Sequence, residues 1–162
     1  MTSEQLFYDK KTGFDKLTGS DKRNMQAYAE DYKKFLDEAK IERDAVKEMV
    51  RLAEEKGFRA WTRNDTVKAG DKIYQVNRDK GVTLAVIGKK PLGEGVRLTA
   101  AHLDAPRVDI RTVPLYEDSG MAYFKTHYYG GIKKYQWTAI PLELRGVVCV
   151  CHNGQMKKVE VR

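Results

Sequence analysis

Between Asp21 and Lys40 the apolar positions are Met25, Tyr28, Ala29, Tyr32, Phe35, Leu36 and Ala39. Steps of three and four residues put them on one face, so the spacing predicts an amphipathic helix over 21–40. Ser20 is its expected N-cap, and Asp21 suits the positive end of the helix dipole. A second helix is expected from about Glu42 to Lys56, burying Ala45, Met49, Leu52 and Ala53, with Gly57 as the stop. The aromatic stripe of the first helix reads as core, the usual means by which such a helix docks. Ahead of it, Met1 to about Gly19 is irregular. Leu6, Phe7, Tyr8, Phe14 and Leu17 make it either an arm that packs through these side chains or a frayed terminus.

After Gly57 the period changes from helical to β. Ile73–Val76 is short and β-prone, and Thr83–Ile87 is a nearly continuous apolar run bounded by Gly81 and Gly88. Val96 to Pro106 then reads as a buried strand that delivers His102 and Asp104 into a loop at its carboxyl end, the end at which open α/β sheets place ligands. Beyond Pro106, Val108–Arg111 alternates, Thr112–Gly120 reads as a turn through Pro114 and Glu117-Asp118, and Met121–Tyr128 is a strand. Tyr129-Gly130-Gly131 breaks it. Asn153-Gly154, between Val148-Cys149-Val150 and Val159-Glu160-Val161, is a strong two-residue hairpin signal. Helices preceding strands suggest an α/β layer arrangement, and the β-rich second half reads as a different unit beginning near 106–112.

A length of 162 residues suits one domain, or one domain and part of another, and a 41% hydrophobic content supports a core. No apolar run approaches the roughly 20 residues needed to cross a bilayer. Met1-Thr2-Ser3-Glu4-Gln5 lacks the basic and apolar regions of a signal peptide, and two close cysteines make no disulfide framework, so a cytoplasmic protein is expected. The net charge of +7 is uneven. Residues up to Gly57 carry 12 Lys+Arg against 13 Asp+Glu, whereas those from Phe58 onward carry 18 against 10. Clustered basic residues could serve nucleic acid. These are scattered singly or in pairs with no RNA-binding or helix-turn-helix signature, so a solvated surface or an acidic partner is the preferred reading.

Few residues offer chemistry. Imidazole is the commonest transition-metal ligand, and a carboxylate two residues away along a strand could face the same cavity and orient it. On residue types alone, His102 and Asp104 are equally open to being a hydrogen-bonded structural pair. A hydrolytic site needs further ligands and a base. Cys149-Val150-Cys151-His152 has soft-metal atom types, but a strand points His152 away from the two thiols, and packing is the better account of them. Gly130-Gly131 lies in no phosphate-loop pattern and reads as a backbone bend. Tyr128, Tyr129, Tyr135 and Trp137 could line a surface where another chain docks.

Taken in order, the landmarks become specific. They are a helical N-terminal region, Tyr74 before Asn77-Arg78, Val86-Ile87-Gly88, and Ala101-His102-Leu103-Asp104-Ala105-Pro106. Pro114-Leu115-Tyr116-Glu117 follows, then Tyr129-Gly130-Gly131 through Trp137 to Leu144-Arg145-Gly146-Val147-Val148. From about Phe7 to the end the sequence resembles the N-terminal part of the aspartyl aminopeptidase family of metallopeptidases, most of all its bacterial aminopeptidase 1 branch. The usual His-Thr-Asp-Ser-Pro reads His-Leu-Asp-Ala-Pro here, and Ala139-Ile140 replaces the Asp-Arg pair that commonly follows the tryptophan.

The resemblance implies an α/β fold: residues 1–107 as the N-terminal part of a catalytic domain, and 108–162 as the start of a β-rich inserted dimerisation domain. It implies a cytoplasmic exopeptidase with two zinc ions in the complete enzyme. Such an enzyme takes peptide substrates with N-terminal residues, acidic ones in the best-known members, and assembles from dimers into dodecamers. It implies no nucleic-acid or membrane partner. Carried over, His102 matches the first metal-ligand histidine, and Asp104 matches the catalytic carboxylate that orients it. Family members run to well over twice this length, so the bridging aspartate, the glutamate base and the remaining ligands are expected outside these residues. The chain is thus expected to be an N-terminal fragment that is inactive alone. The alternative is a naturally short, non-catalytic oligomerisation or partner-binding module.

Overall fold

The structure, a computed structural model, describes residues 11–162; Leu6, Phe7 and Tyr8 of the expected arm lie outside them. The chain divides into two units, one up to Asp37 and the other Glu38–Arg162.

In the first unit, a short 3-10 turn, Phe14–Lys16, precedes helix α1, Gly19–Glu38. Its cap is Thr18 rather than Ser20. The Asp21 amide donates to the Thr18 hydroxyl at 3.2 Å, and the Thr18 amide donates back to the Asp21 carboxylate at 2.9 Å. This reciprocal pair satisfies two donors that a lone Ser20 would leave open. The Thr18 side-chain and backbone hydrogen bonds hold the Asp21 carboxyl below its usual range. The aromatic stripe forms as spaced, with Tyr32 and Phe35 stacked at 6.3 Å. Contrary to the core expectation, none of α1 is buried, and Tyr28 is 74% exposed. Periodicity specifies a face but not what covers it.

The second unit is built on α2, Glu42–Glu55, packed on a three-stranded sheet of β1 (Arg59–Ala60), β2 (Lys72–Asn77) and β3 (Gly81–Val86). The sheet order is β1-β2-β3, parallel between β1 and β2 and antiparallel between β2 and β3. Helix α2 ends in a Schellman motif: Gly57 (φ 82°) donates to Glu54 and Phe58 to Ala53. Ala45 and Ala53 are buried as expected, together with Val46. Leu52 is exposed instead, because it lies off the face that meets the sheet.

Two hairpins follow. β4 (Arg107–Asp118) pairs with β5 (Met121–Tyr129), and β6 (Gly146–His152) pairs with β7 (Gln155–Val161), with the one-turn helix α3 (Lys134–Trp137) between them. The expected turn over 112–120 shrinks to Ser119-Gly120, both with positive φ, and β4 carries the chain through Pro114. Pro114 sits in an irregular stretch. Between the pairs Ile110↔Thr126 and Leu115↔Phe124, the residues Arg111–Pro114 lie opposite Lys125 alone, so a proline without an N–H breaks no regular ladder. Asn153-Gly154 makes the expected tight turn, and Val148 pairs with Val159. The Cys149 and Cys151 thiols are exposed, not packed.

Charge ties the β6–β7 hairpin and the residues flanking it to α2 and to the β2–β3 turn. The buried Asp44 receives Arg145 at 3.1 Å and lies 3.6 Å from Arg162. Lys47 pairs with Glu160, and Lys158 meets Asp79 at 3.1 Å.

Candidate functional site

Val96 to Pro106 is not the buried strand expected. No strand among the described residues pairs with it, and Leu98 is 85% exposed. A continuous apolar run is a strand only where a neighbouring strand takes up its backbone groups. The segment does deliver its two polar residues together. His102 Nε2 lies 3.0 Å from Asp104 Oδ1, and His102 Nδ1 lies 2.9 Å from the Asp104 carbonyl oxygen.

A carbonyl oxygen only accepts, so Nδ1 carries a hydrogen. Nε2 then faces an acceptor, and a proton or a metal cation between the two satisfies both. Both ring nitrogens are thus engaged by one residue, and a metal on His102 takes the place of one of these contacts while the other fixes the ring. The imidazole is accessible, with its side chain 79% exposed, whereas that of Asp104 is only 20% exposed.

Asp104 is surrounded by groups that favour its charged form. The hydrogen-bonding influence of the Tyr129 hydroxyl lowers its carboxyl most, burial opposes it, and the charges of His102 and Arg107 act in the lowering direction, so the carboxyl lies below the usual range. Arg107 sits between three carboxylates. Its Nε binds Asp109 Oδ1 at 2.7 Å, while Nη1 lies 3.7 Å from Asp104 Oδ2 and 3.9 Å from Glu42 Oε2. The guanidinium stacks 4.1 Å from the Tyr129 ring centroid. Glu42, at the start of α2, is raised by burial but lowered more by its backbone contact, Lys80 and Arg107, and is held below its ordinary value overall.

Imidazole nitrogen with carboxylate oxygen is a donor pair of the right kind for zinc. In number it falls short. Zinc centres take three or four protein ligands, and among the described residues no three of His, Cys, Asp and Glu gather into a metal-holding group. The pair fits as part of a zinc site, and Cys149, Cys151 and His152 do not join it. Sequence reasoning placed Tyr129 on a docking surface and did not single out Arg107 or Glu42; their convergence follows from strand pairing and from α2. Among the described residues no helix is long and apolar enough to cross a membrane.

Comparison with known proteins agrees with this architecture. The profile of the aminopeptidase I zinc metalloproteases (M18) matches residues 35–162. The probable M18 family aminopeptidase 1 of Clostridium acetobutylicum is 41% identical over 147 residues, covering 88% of this chain and 32% of the relative. That of Thermotoga maritima is 42% identical over 127 residues, covering 78% and 28%. The crystal structure of aminopeptidase I from Borrelia burgdorferi B31 superposes with a TM-score of 0.82 at 34% identity, over 93% of this chain and 37% of that one. The chain therefore spans about a third of the length of the relatives it matches. Over that third, the mixed α/β architecture and the sequence together show that this chain belongs to the M18 family of aminopeptidase I zinc metalloproteases.

Proposed function

We propose that these 162 residues supply the first part of a cytoplasmic two-zinc aminopeptidase that removes N-terminal residues, acidic ones among them, from peptides. Residues 1–107 contribute to its catalytic domain, and 108–162 begin an inserted domain through which copies associate. The observation that carries this reading is the His102–Asp104 pair, accessible and in contact at 3.0 Å, in a chain of the M18 family. His102 is the metal ligand and Asp104 the carboxylate that orients it. Zinc, when bound, polarises a scissile carbonyl and lowers the pKa of a coordinated water. The described residues hold the imidazole in one orientation and keep the Asp104 carboxylate charged through Tyr129 and Arg107. Exposed Leu115, Tyr116, Phe124 and Tyr128 on the β4–β5 ribbon support association with a second copy.

The test is to read the gene beyond the codon for Arg162 and assay the protein it encodes on aminoacyl anilides. Chelator-sensitive hydrolysis that disappears in His102→Ala supports the proposal. Hydrolysis indifferent to His102→Ala overturns the site assignment. A native stop after Arg162, with no metal-dependent hydrolysis, favours the partner-binding module, for which the exposed ribbon is the supporting observation.

A further inference from the structure

The register of the β6–β7 hairpin gathers three sulfur-bearing side chains on one face. Cys149 and Cys151 stand two residues apart on β6, and alternation along a strand sends both side chains to the same side. Cys151 is the Cα partner of Met156 on β7, and Cys149 that of Lys158. Partners in an antiparallel ladder share a face, with Cβ atoms about 5 Å apart, and the diagonal neighbour is still within reach of a long side chain. Met156 therefore stands across from Cys151 and diagonal to Cys149. His152, paired with Gln155, falls on the opposite face. Both thiols are exposed, and Met156 is 69% exposed.

The spacing of the two cysteines suits a bridging atom better than a disulfide. At about 3.4 Å per residue, Cα atoms two apart on a strand are separated by about 6.8 Å, and their Cβ atoms, which project in parallel, by about as much. A disulfide holds its Cβ atoms about 3.8 Å apart. Closing one would buckle β6, which pairs with β7 without a break from Gly146 to His152. Two thiolates on one metal ion need far less movement. With metal–thiolate bonds of about 2.3 Å, the sulfurs stand about 4.6 Å apart in a linear arrangement. Each side chain reaches that by leaning about 1 Å toward the other.

The donor set selects the metal. Thiolate and thioether sulfur are soft ligands, the kind that favours Cu(I). Zinc asks for three or four ligands of nitrogen, oxygen or thiolate, and among the described residues no three of His, Cys, Asp and Glu gather into a metal-holding group. The third soft donor on this face is the thioether of Met156. Lys158, whose ammonium is drawn to Asp79 at 3.1 Å, is a donor-only cation and does not compete as a ligand. We propose that Cys149, Cys151 and Met156 form a Cu(I) site on the β6–β7 hairpin. The two thiols release their protons as the ion binds, the two thiolates grip it, and the thioether completes a three-sulfur shell. The site draws on neither His102 nor Asp104 and does not depend on the zinc reading of that pair.

The experiment titrates the reduced 162-residue chain with Cu(I) under argon, in competition with bicinchoninate, whose coloured complex reports the copper it keeps. The wild-type chain should take one Cu(I) and develop the ultraviolet charge-transfer band of a copper thiolate. Cys149→Ser and Cys151→Ser should each lose that band and leave the copper with the competitor. Met156→Leu should weaken binding about tenfold, the lower end of what removing a supporting group costs a metal site. His152→Ala should bind as wild type, because its ring is on the other face. All four positions are exposed, so the urea midpoint should not move. No copper uptake by the wild-type chain would overturn the proposal, as would equal uptake by the double variant Cys149→Ser/Cys151→Ser. Wild-type affinity in Met156→Leu would overturn the three-sulfur shell, and loss of binding in His152→Ala would overturn the placement of the site on this face.

Discussion

Val46 is the largest apolar side chain buried among the described residues, at 3% exposure, and it faces the β2–β3 sheet from α2. Val46→Ala removes two methyl carbons. At about 0.8 kcal/mol per buried carbon the lost transfer free energy is about 1.6 kcal/mol. The vacated space adds a cavity cost, kept small because it opens toward the groove lined by Val50, Val76 and Val147. The expected loss is about 2 kcal/mol, a fall in Tm of roughly 8 °C. The matched control is Val113→Ala on β4. Val113 is 81% exposed, so its truncation removes almost no buried area and should stay within about 0.5 kcal/mol. Trp61 and Trp137 both lie in the Glu38–Arg162 unit, so tryptophan emission during urea unfolding follows that unit. A Val46→Ala midpoint within error of wild type would refute the reasoning. So would a Val113→Ala cost as large as that of Val46→Ala, which would show that the ribbon is covered in solution.

Gly57→Ala tests the helix stop. No heavy atom lies within 4 Å of the added Cβ, so the cost is the left-handed backbone alone, about 1 kcal/mol; an unchanged urea midpoint would argue against that φ. Asp21 tests the cap of α1. Its carboxyl is depressed by Thr18, so its contribution is fully present above the unfolded carboxyl pKa near 3.9 and is lost as pH falls through the lower folded value. Helicity at 222 nm should drop there in wild type, and that step should be missing in Asp21→Asn; an identical acid step in the variant would exclude the cap as its cause. The 162-residue chain should bind zinc weakly and hydrolyse no aminoacyl anilide, because among the described residues only His102 and Asp104 are brought together for the metal. Chelator-sensitive turnover by the purified chain would contradict this.

Local signals determined the elements whose partners are close in sequence. The period of α2 and its Gly57 stop, the β2–β3 pair between glycines, and the Asn153-Gly154 hairpin need only their own residues and near neighbours. The His102–Asp104 pair was equally legible, since two residues along one segment stay within reach of each other whatever surrounds them. Residue order and motif were also enough to suggest the M18 resemblance, because many landmarks recur in sequence. Tertiary structure decided the rest. The apolar run at Val96–Pro106 and the stripe on α1 specify faces, but burial depends on what lies opposite, and Leu98 and Tyr28 are largely exposed. The pairing at the base of the ribbon was hidden for a different reason. Tyr129 stands opposite Arg107 only because Arg111–Pro114 interrupt a register that the Ser119-Gly120 turn would otherwise extend to Ile132. An interruption of that kind is a property of two strands together, and neither strand's sequence contains it alone.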